Sequence, residues 1–297
     1  MTVLANLLAA ADARRFDPAV LREAFGYRNP AVRCQGALAA GRIGDGAALD
    51  LLIPLLRDTV GAVQASAAFA LGLLKDARSI PDLLELIRAV PSADQGGPQL
   101  EAVTAIAKIG GDDGARALTD IIGDGSPSAS TPAVDVALLE SWRLGARAPV
   151  AQLVRFTDAS DAGTRQRALY ALARLRAAPG AAPLVRGLND PDPRIRTVAA
   201  RGITKALLDS AKLDPQSATV PLRRLLDDPD AHIRIHALRA LASFRDSGLA
   251  AAAVPLVADR DIGVAIQAET TLGVLGGSRA REALRERLTS SLFAVKR

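Results

Sequence analysis

Apolar residues recur along this chain with a helical period, in blocks that repeat at nearly fixed spacing. Segments rich in alanine, glycine and leucine occur at residues 29–45, 60–76, 98–112, 133–145, 164–176, 191–207, 229–246 and 263–277. Aligned on one position, successive copies start 31 to 38 residues apart. A period in this range is typical of a solenoid, in which each repeat packs only on its neighbours. The pattern therefore predicts an array of structural repeats.

A second helical pattern, richer in leucine, lies between these copies, at residues 18–26, 47–58, 79–90, 181–190 and 218–228. Each repeat is thus predicted to contain a leucine-rich helix A, a turn and a small-residue helix B. The B helices are predicted near residues 31–44, 62–75, 98–110, 133–145, 164–176, 193–207, 231–245 and 263–276. Asn29, Asp190 and Asp228 each precede a proline, which predicts that they cap the following helix.

Composition favours helices over sheets. Hydrophobic residues make up 49% of the chain but aromatic residues only 3%, whereas strands favour β-branched and aromatic side chains. We therefore predict an all-α fold, a right-handed α-solenoid of about eight two-helix repeats. Residues 1–297 are predicted to form a single array, with the polar segments 91–98 and 123–132 as loops within it.

The first small-residue copy carries a motif that resembles the HEAT-repeat family, in its short bacterial, phycobilisome-lyase-type form. The matching residues are Asn29, Pro30, Val32, Arg33, Gly36, Ala39, Gly41, Ile43, Gly44 and Asp45. The resemblance extends over nearly the whole chain and implies a solenoid of helix pairs. It implies little about function, since such repeats serve many proteins.

The glycines and the single cysteine of the first copy do not predict a catalytic or phosphate site. Other copies place Ala107, Trp142 and Ala173 where Gly41 stands, which favours close helix packing over ligand binding. Cys34 would need a nearby base to act as a nucleophile, and the only histidines lie six repeats away. We predict that the chain is not an enzyme.

His232 and His236 are spaced to share one helical face, but a metal would need a third ligand and the glutamate of a metalloprotease motif is missing. We predict no metal and no cofactor.

An arginine recurs early in the predicted B helices, at Arg33, Arg165, Arg196 and Arg234. We predict that these arginines form a structural ladder by pairing with acidic turn residues of adjacent repeats, for which Asp58, Asp158, Asp190, Asp228 and Asp259 are placed.

The remaining exposed positions of the B helices are predicted to line a concave face that binds a partner. The residues at these positions are Leu38, Arg42, Phe69, Leu73, Arg167, Tyr170, Arg174, Arg201, Lys205, His236 and Arg239. The first of them are mainly apolar and the later ones mainly basic. Residues 1–148 carry a net charge of −3 and residues 149–297 a net charge of +8, which agrees with this gradient.

These features predict a non-catalytic scaffold or adaptor that binds a protein or peptide on its concave face. One alternative is binding of nucleic-acid phosphates by the basic half, for which Trp142 and Tyr170 are the interior aromatic candidates. Another is an accessory role beside an enzyme such as a bilin lyase or a prolyl isomerase, as the family resemblance implies.

The first residues lack a basic segment before their apolar run, and no apolar run approaches the ~20 residues needed to span a bilayer. We therefore predict a soluble, cytoplasmic protein without a membrane partner.

Overall fold

The computed structural model describes residues 3–91, 94–123 and 130–294. Within them every regular element is a helix, and no strand occurs. The chain divides into two compact units, an N-terminal unit (Met1–Gln152) and a C-terminal unit (Leu153–Arg297). The segments predicted as loops at 91–98 and 123–132 lie partly outside the described residues. The prediction of an all-α protein built from helix pairs is confirmed.

The N-terminal unit holds nine complete α-helices among its described residues. They are α1 (Val3–Asp12), α2 (Pro18–Phe25), α3 (Pro30–Ile43), α4 (Leu49–Leu52), α5 (Gly61–Leu74), α6 (Ile80–Arg88), α7 (Gly97–Ile109), α8 (Gly111–Ile122) and α9 (Pro132–Glu140). The B helices α3, α5, α7 and α9 pack side by side in chain order. Helix α1, which the repeat pattern did not predict, packs on α3 as a further helix of this row.

The next helix, α10 (Val150–Phe156), crosses residue 152. The C-terminal unit then contains α11 (Ala162–Leu175), α12 (Ala181–Gly187), α13 (Pro193–Gly202), α14 (Lys205–Ser210), α15 (Gln216–Arg224), α16 (Ala231–Ala242), α17 (Ala250–Ala253), α18 (Ile262–Leu275) and α19 (Gly277–Ala294). Its B helices α11, α13, α16 and α18 form a second row in chain order.

The core of each repeat lies between helix A and helix B. In the second repeat, for example, Leu52 and Leu56 on the A side and Ala67 and Leu71 on α5 are almost completely buried. The A segment that carries these leucines was predicted as one helix over 47–58. Its α-helix ends at Leu52, and Ile53–Arg57 form a 3-10 turn because Pro54 has no backbone N–H to donate.

Three predicted B helices end early: the seventh, predicted over 231–245, ends at Ala242, and two others end earlier still. The fourth, predicted over 133–145, ends at Glu140 and continues as a 3-10 segment in which Gly145 has a φ of 56°. The sixth, predicted over 193–207, ends at Gly202. Beyond it the backbone is extended at Thr204, whose hydroxyl caps the separate helix α14 by accepting a hydrogen bond from the Leu207 amide.

Candidate functional site

Four arginines early in the B helices hold consecutive repeats together by buried or nearly buried ion pairs. The pairs are Arg33–Asp58, Arg165–Asp190, Arg196–Asp228 and Arg234–Asp259, with N···O distances between 2.7 and 3.1 Å. The side chain of Arg234 is only 6% exposed and that of Asp259 12%. Such groups are costly to bury alone, so each depends on its partner.

Each arginine also binds the turn that precedes its own helix. Arg196 donates to the backbone carbonyls of Asp190 and Pro191, while the Asp190 carboxylate accepts from Arg165 of the preceding repeat. Arg234 likewise donates to the backbone carbonyl of Asp228 and to the carboxylate of Asp259. In the C-terminal unit the ion pairs therefore form one continuous hydrogen-bonded ladder.

The aspartates of this ladder do not cap the next helix, which corrects the prediction for Asp190 and Asp228. The caps are Asp192 and Asp230, two residues further on. The Asp190 and Asp228 carboxylates instead accept from the preceding arginine and from the backbone amide of Asp192 or Asp230. Asn29 does cap α3 as predicted, accepting from the Ala31 amide.

Asp158 was also predicted to pair with a ladder arginine, but it lies outside the ladder. Its side chain is exposed and pairs with Arg186 at 3.2 Å. Among the described residues of the N-terminal unit the ladder has one rung, because Gln64 stands where an arginine would follow. Its amide nitrogen donates to the Asp58 carbonyl at 2.7 Å, which satisfies the turn without an ion pair.

The predicted contact residues of the N-terminal unit expose less apolar surface than the sequence indicated. Phe69 is half-buried, and the Lys108 ammonium lies 4.4 Å from its ring centroid. Leu38 is also half-buried, whereas Leu73 is 39% exposed. Arg42 is exposed and lines an apolar cavity of about 250 Å³ between α1 and α3.

In the C-terminal unit the structure brings Tyr170, Arg174 and Arg201 together. They line a cavity of about 440 Å³ between α11 and α13. The other lining residues are Ala173, Arg176, Thr197, Val198, Gly202 and Thr204. Arg176 was not predicted, because it follows the last turn of α11 in a left-handed conformation, with φ 53°, and the repeat alignment ended there.

His236 and Arg239 lie on α16, the next B helix of the row. Burial, together with the positive charges of Arg239 and Arg201, holds the pKa of His236 below its usual value. Arg239 donates to the Gln267 side chain on α18 at 2.7 Å. The surface formed by Tyr170, Arg174, Arg201, His236 and Arg239, hereafter the basic surface, thus runs across three adjacent helices.

Two further predicted contact residues have other partners. Lys205 does not lie on a B helix, which corrects its assignment, since it begins α14 after the break at Gly202. Its ammonium pairs with Asp209 at 2.7 Å. Arg167 is half-buried near the start of α11. The pKa of the capping carboxylate Asp161 is lowered by the amide hydrogen bond from Thr164 and, more weakly, by the charge of Arg167.

The glycines of the first two copies allow the B helices to approach closely. A Cβ atom on Gly41 would lie 2.9 Å from the Ala70 Cα, and one on Gly72 would lie 2.9 Å from the Ala105 Cα. Cys34 is a free, half-buried thiol. Across the described ranges, no three His, Cys, Asp or Glu side chains are grouped so that they could hold a metal ion.

No helix within the described residues is both long and apolar enough to cross a membrane.

Two solved structures with TM-scores above 0.5 support the fold at low sequence identity. An engineered protein covers 95% of this chain and 84% of its own, with 20% identity and a TM-score of 0.52. YibA of Escherichia coli covers 99% and 91%, with 15% identity and a TM-score of 0.52. The complex of CpcE and CpcF of phycocyanin lyase from Nostoc covers 88% and 96%, with 17% identity and a TM-score of 0.47. Comparison with curated proteins finds no significant match.

The profile of HEAT repeats matches residues 18–95 and 219–297, which together are more than half of the chain. These ranges contain the first ladder rung, Arg33–Asp58, and the last, Arg234–Asp259. The chain therefore belongs to the HEAT-repeat family.

Proposed function

We propose that this protein is a non-catalytic scaffold that binds a protein partner on its B helices, chiefly through the basic surface of the C-terminal unit. The observation that carries the proposal is the cavity between α11 and α13, which three of the predicted contact residues line. Rows of stacked helices offer extended surfaces of the kind that solenoid proteins use for binding.

The ladder arginines contribute to structure in this proposal and not to partner binding. Their guanidinium groups already donate hydrogen bonds to turn carbonyls and carboxylates. Arg234, for example, donates to two carbonyls and one aspartate. Arg201, in contrast, is exposed, and no carboxylate among the described residues forms an ion pair with it. Its charge is therefore available to a ligand.

Two observations favour a protein partner over a nucleic acid. Single-stranded nucleic acid is held by bases that stack on aromatic rings beside basic residues. Here the Arg174 guanidinium lies 6.0 Å from the Tyr170 ring centroid, and Arg143 lies 4.7 Å from that of Trp142. Each aromatic candidate thus already has an arginine beside one face of its ring.

Site-directed photo-crosslinking in native lysate tests this proposal. A benzophenone side chain is placed at Arg176 or Arg239 on or beside the basic surface, and at Arg224, an exposed arginine of α15, as the control. Discrete protein adducts are expected at the first two positions only, and the change Arg174→Glu with Arg201→Glu should remove them. The proposal would be refuted if no adducts formed, if position 224 gave the same adducts, or if nuclease treatment removed the adducts.

A further inference from the structure

The cavity between α11 and α13 has a positively charged rim. Arg174 and Arg176 lie at the end of α11, and Arg201 lies near the end of α13. None of the residues that line the cavity is acidic. Three guanidinium groups around one opening favour an anionic ligand, and their planar donors match carboxylate oxygens well.

The floor of the cavity is apolar and formed by small side chains. Ala173, Val198 and Gly202 line it. Gly202 is required for the close contact between the helices, since a Cβ atom there would lie 2.7 Å from the Ala173 Cβ. Because these residues are small, the space of about 440 Å³ between the helices stays open to a ligand.

The two threonine hydroxyls of the cavity already form hydrogen bonds within the protein. The Thr197 hydroxyl donates to the Pro193 carbonyl within α13. The Thr204 hydroxyl accepts from the Leu207 amide at the start of α14. The cavity therefore offers a ligand positive charge at its rim and apolar contact at its floor.

We propose that the segment bound here is acidic and carries one large apolar side chain, which enters the cavity while flanking carboxylates bind Arg174, Arg176 and Arg201. This inference rests on the proposed function and specifies the chemistry of the partner. Charge complementarity extends beyond the cavity, because Arg239 continues the positive surface onto α16. An acidic segment that leaves the cavity in this direction meets a further guanidinium at Arg239.

Fluorescence anisotropy with defined probes tests the inference on the full chain. The probes are a short peptide of glutamates around one phenylalanine, the same peptide with alanine at the centre, its lysine counterpart, and single-stranded DNA of equal length. The phenylalanine peptide should bind more tightly than the alanine peptide. The binding of both peptides should weaken as added salt screens the charges. The lysine peptide should not bind.

Two double charge reversals distinguish an effect at the cavity from an effect of the protein's net charge. The double substitution Arg174→Glu with Arg201→Glu should weaken the binding of the glutamate peptides by about tenfold or more. The control, Arg224→Glu with Arg281→Glu, carries the same change in net charge on exposed residues elsewhere in the C-terminal unit and should change binding little. Val198→Trp, which fills the floor, should remove the advantage of phenylalanine over alanine.

Three results would overturn the inference: no binding of the acidic peptides, equal loss in both paired variants, or tighter binding of the DNA than of either peptide. If the acidic peptides do not bind while protein adducts persist at positions 176 and 239, the inference fails and the proposed function stands. Circular dichroism on every variant separates lost binding from lost folding.

Discussion

At the scale of single residues, the ladder pairs are nearly buried ion pairs that link consecutive repeats. Arg234 donates to two turn carbonyls and to Asp259, and it is 5% exposed as a whole residue. Its removal leaves a nearly buried carboxylate and two carbonyls without their donor. An unpaired buried charge costs far more than an exposed pair contributes.

We therefore expect Arg234→Met to lower the free energy of unfolding by about 3 kcal/mol, measured by urea denaturation. The control is Arg194→Met on α13, since Arg194 also pairs with an aspartate but is largely exposed. That change should have little effect. Equal effects of the two substitutions would show that the ladder pair behaves like an ordinary surface pair.

The pKa of Asp58 gives the ladder a predictable pH dependence. The hydrogen bonds from Arg33 hold this pKa below its usual value of 3.8, against the opposing effect of burial. The folded state thus binds a proton less readily than the unfolded state. Asp58 therefore stabilises the fold above pH ~4, and this contribution is lost as the pH falls through the folded pKa.

Urea denaturation of the wild type and Asp58→Asn across a pH series tests this expectation. The stability difference between the two proteins should be constant from about pH 7 to about pH 5 and should shrink below about pH 4. A difference that stays constant at the acidic end would mean that the Asp58 carboxylate has no special stabilisation in the folded protein.

At the scale of helices, one repeat position sets how closely neighbouring B helices approach. Gly41, Gly72 and Gly273 occupy this position in three copies. Gly41 and Gly72 each face the backbone of the next B helix, whereas nothing lies within 4 Å of a Cβ atom built on Gly273. The same residue type therefore has a packing role in α3 and α5 and none in α18, the last B helix.

This difference predicts opposite effects of one substitution. Gly72→Ala should lower the free energy of unfolding by about 1–3 kcal/mol, because the Ala105 backbone must move away. Gly273→Ala should raise it by up to about 1 kcal/mol, since alanine favours the helix. Thermal melts of both variants measure the effects, and destabilisation of equal size at the two positions would contradict this packing account.

Much of this element-level structure could be predicted from sequence, and the exceptions have local causes. The helical period of small residues located the B helices, and the 25-residue spacing from Arg33 to Asp58 matches a helix pair. The early end of α13 could not be predicted, because residues 193–207 remain helix-compatible in composition. The cap formed by Thr204 on α14 depends on a backbone conformation that the repeat alignment did not show.

Contacts between repeats were harder to predict than the repeats themselves. Lys108 covers Phe69 from the following B helix, and no pattern within one repeat indicates such a contact. The cavity beside Tyr170 likewise depends on how closely α13 packs on α11, which Gly202 and Ala173 determine. That residues 1–297 form a single array stays a prediction.

At the scale of the whole molecule, the two units present different chemistry on their B helices. In the N-terminal unit the B helices expose Leu73 on α5, and α1 and α3 enclose the apolar cavity that Arg42 lines. In the C-terminal unit the basic surface lies across α11, α13 and α16. Binding of a protein partner is therefore assigned mainly to the C-terminal unit in the proposal.

The most direct test of this central claim is mass spectrometry of the adducts formed by a benzophenone side chain at position 176. The account predicts that the attached molecule is a protein, and that the crosslinked peptide is rich in aspartate and glutamate around an apolar residue. A crosslinked nucleotide, or peptides that are basic on average, would contradict it.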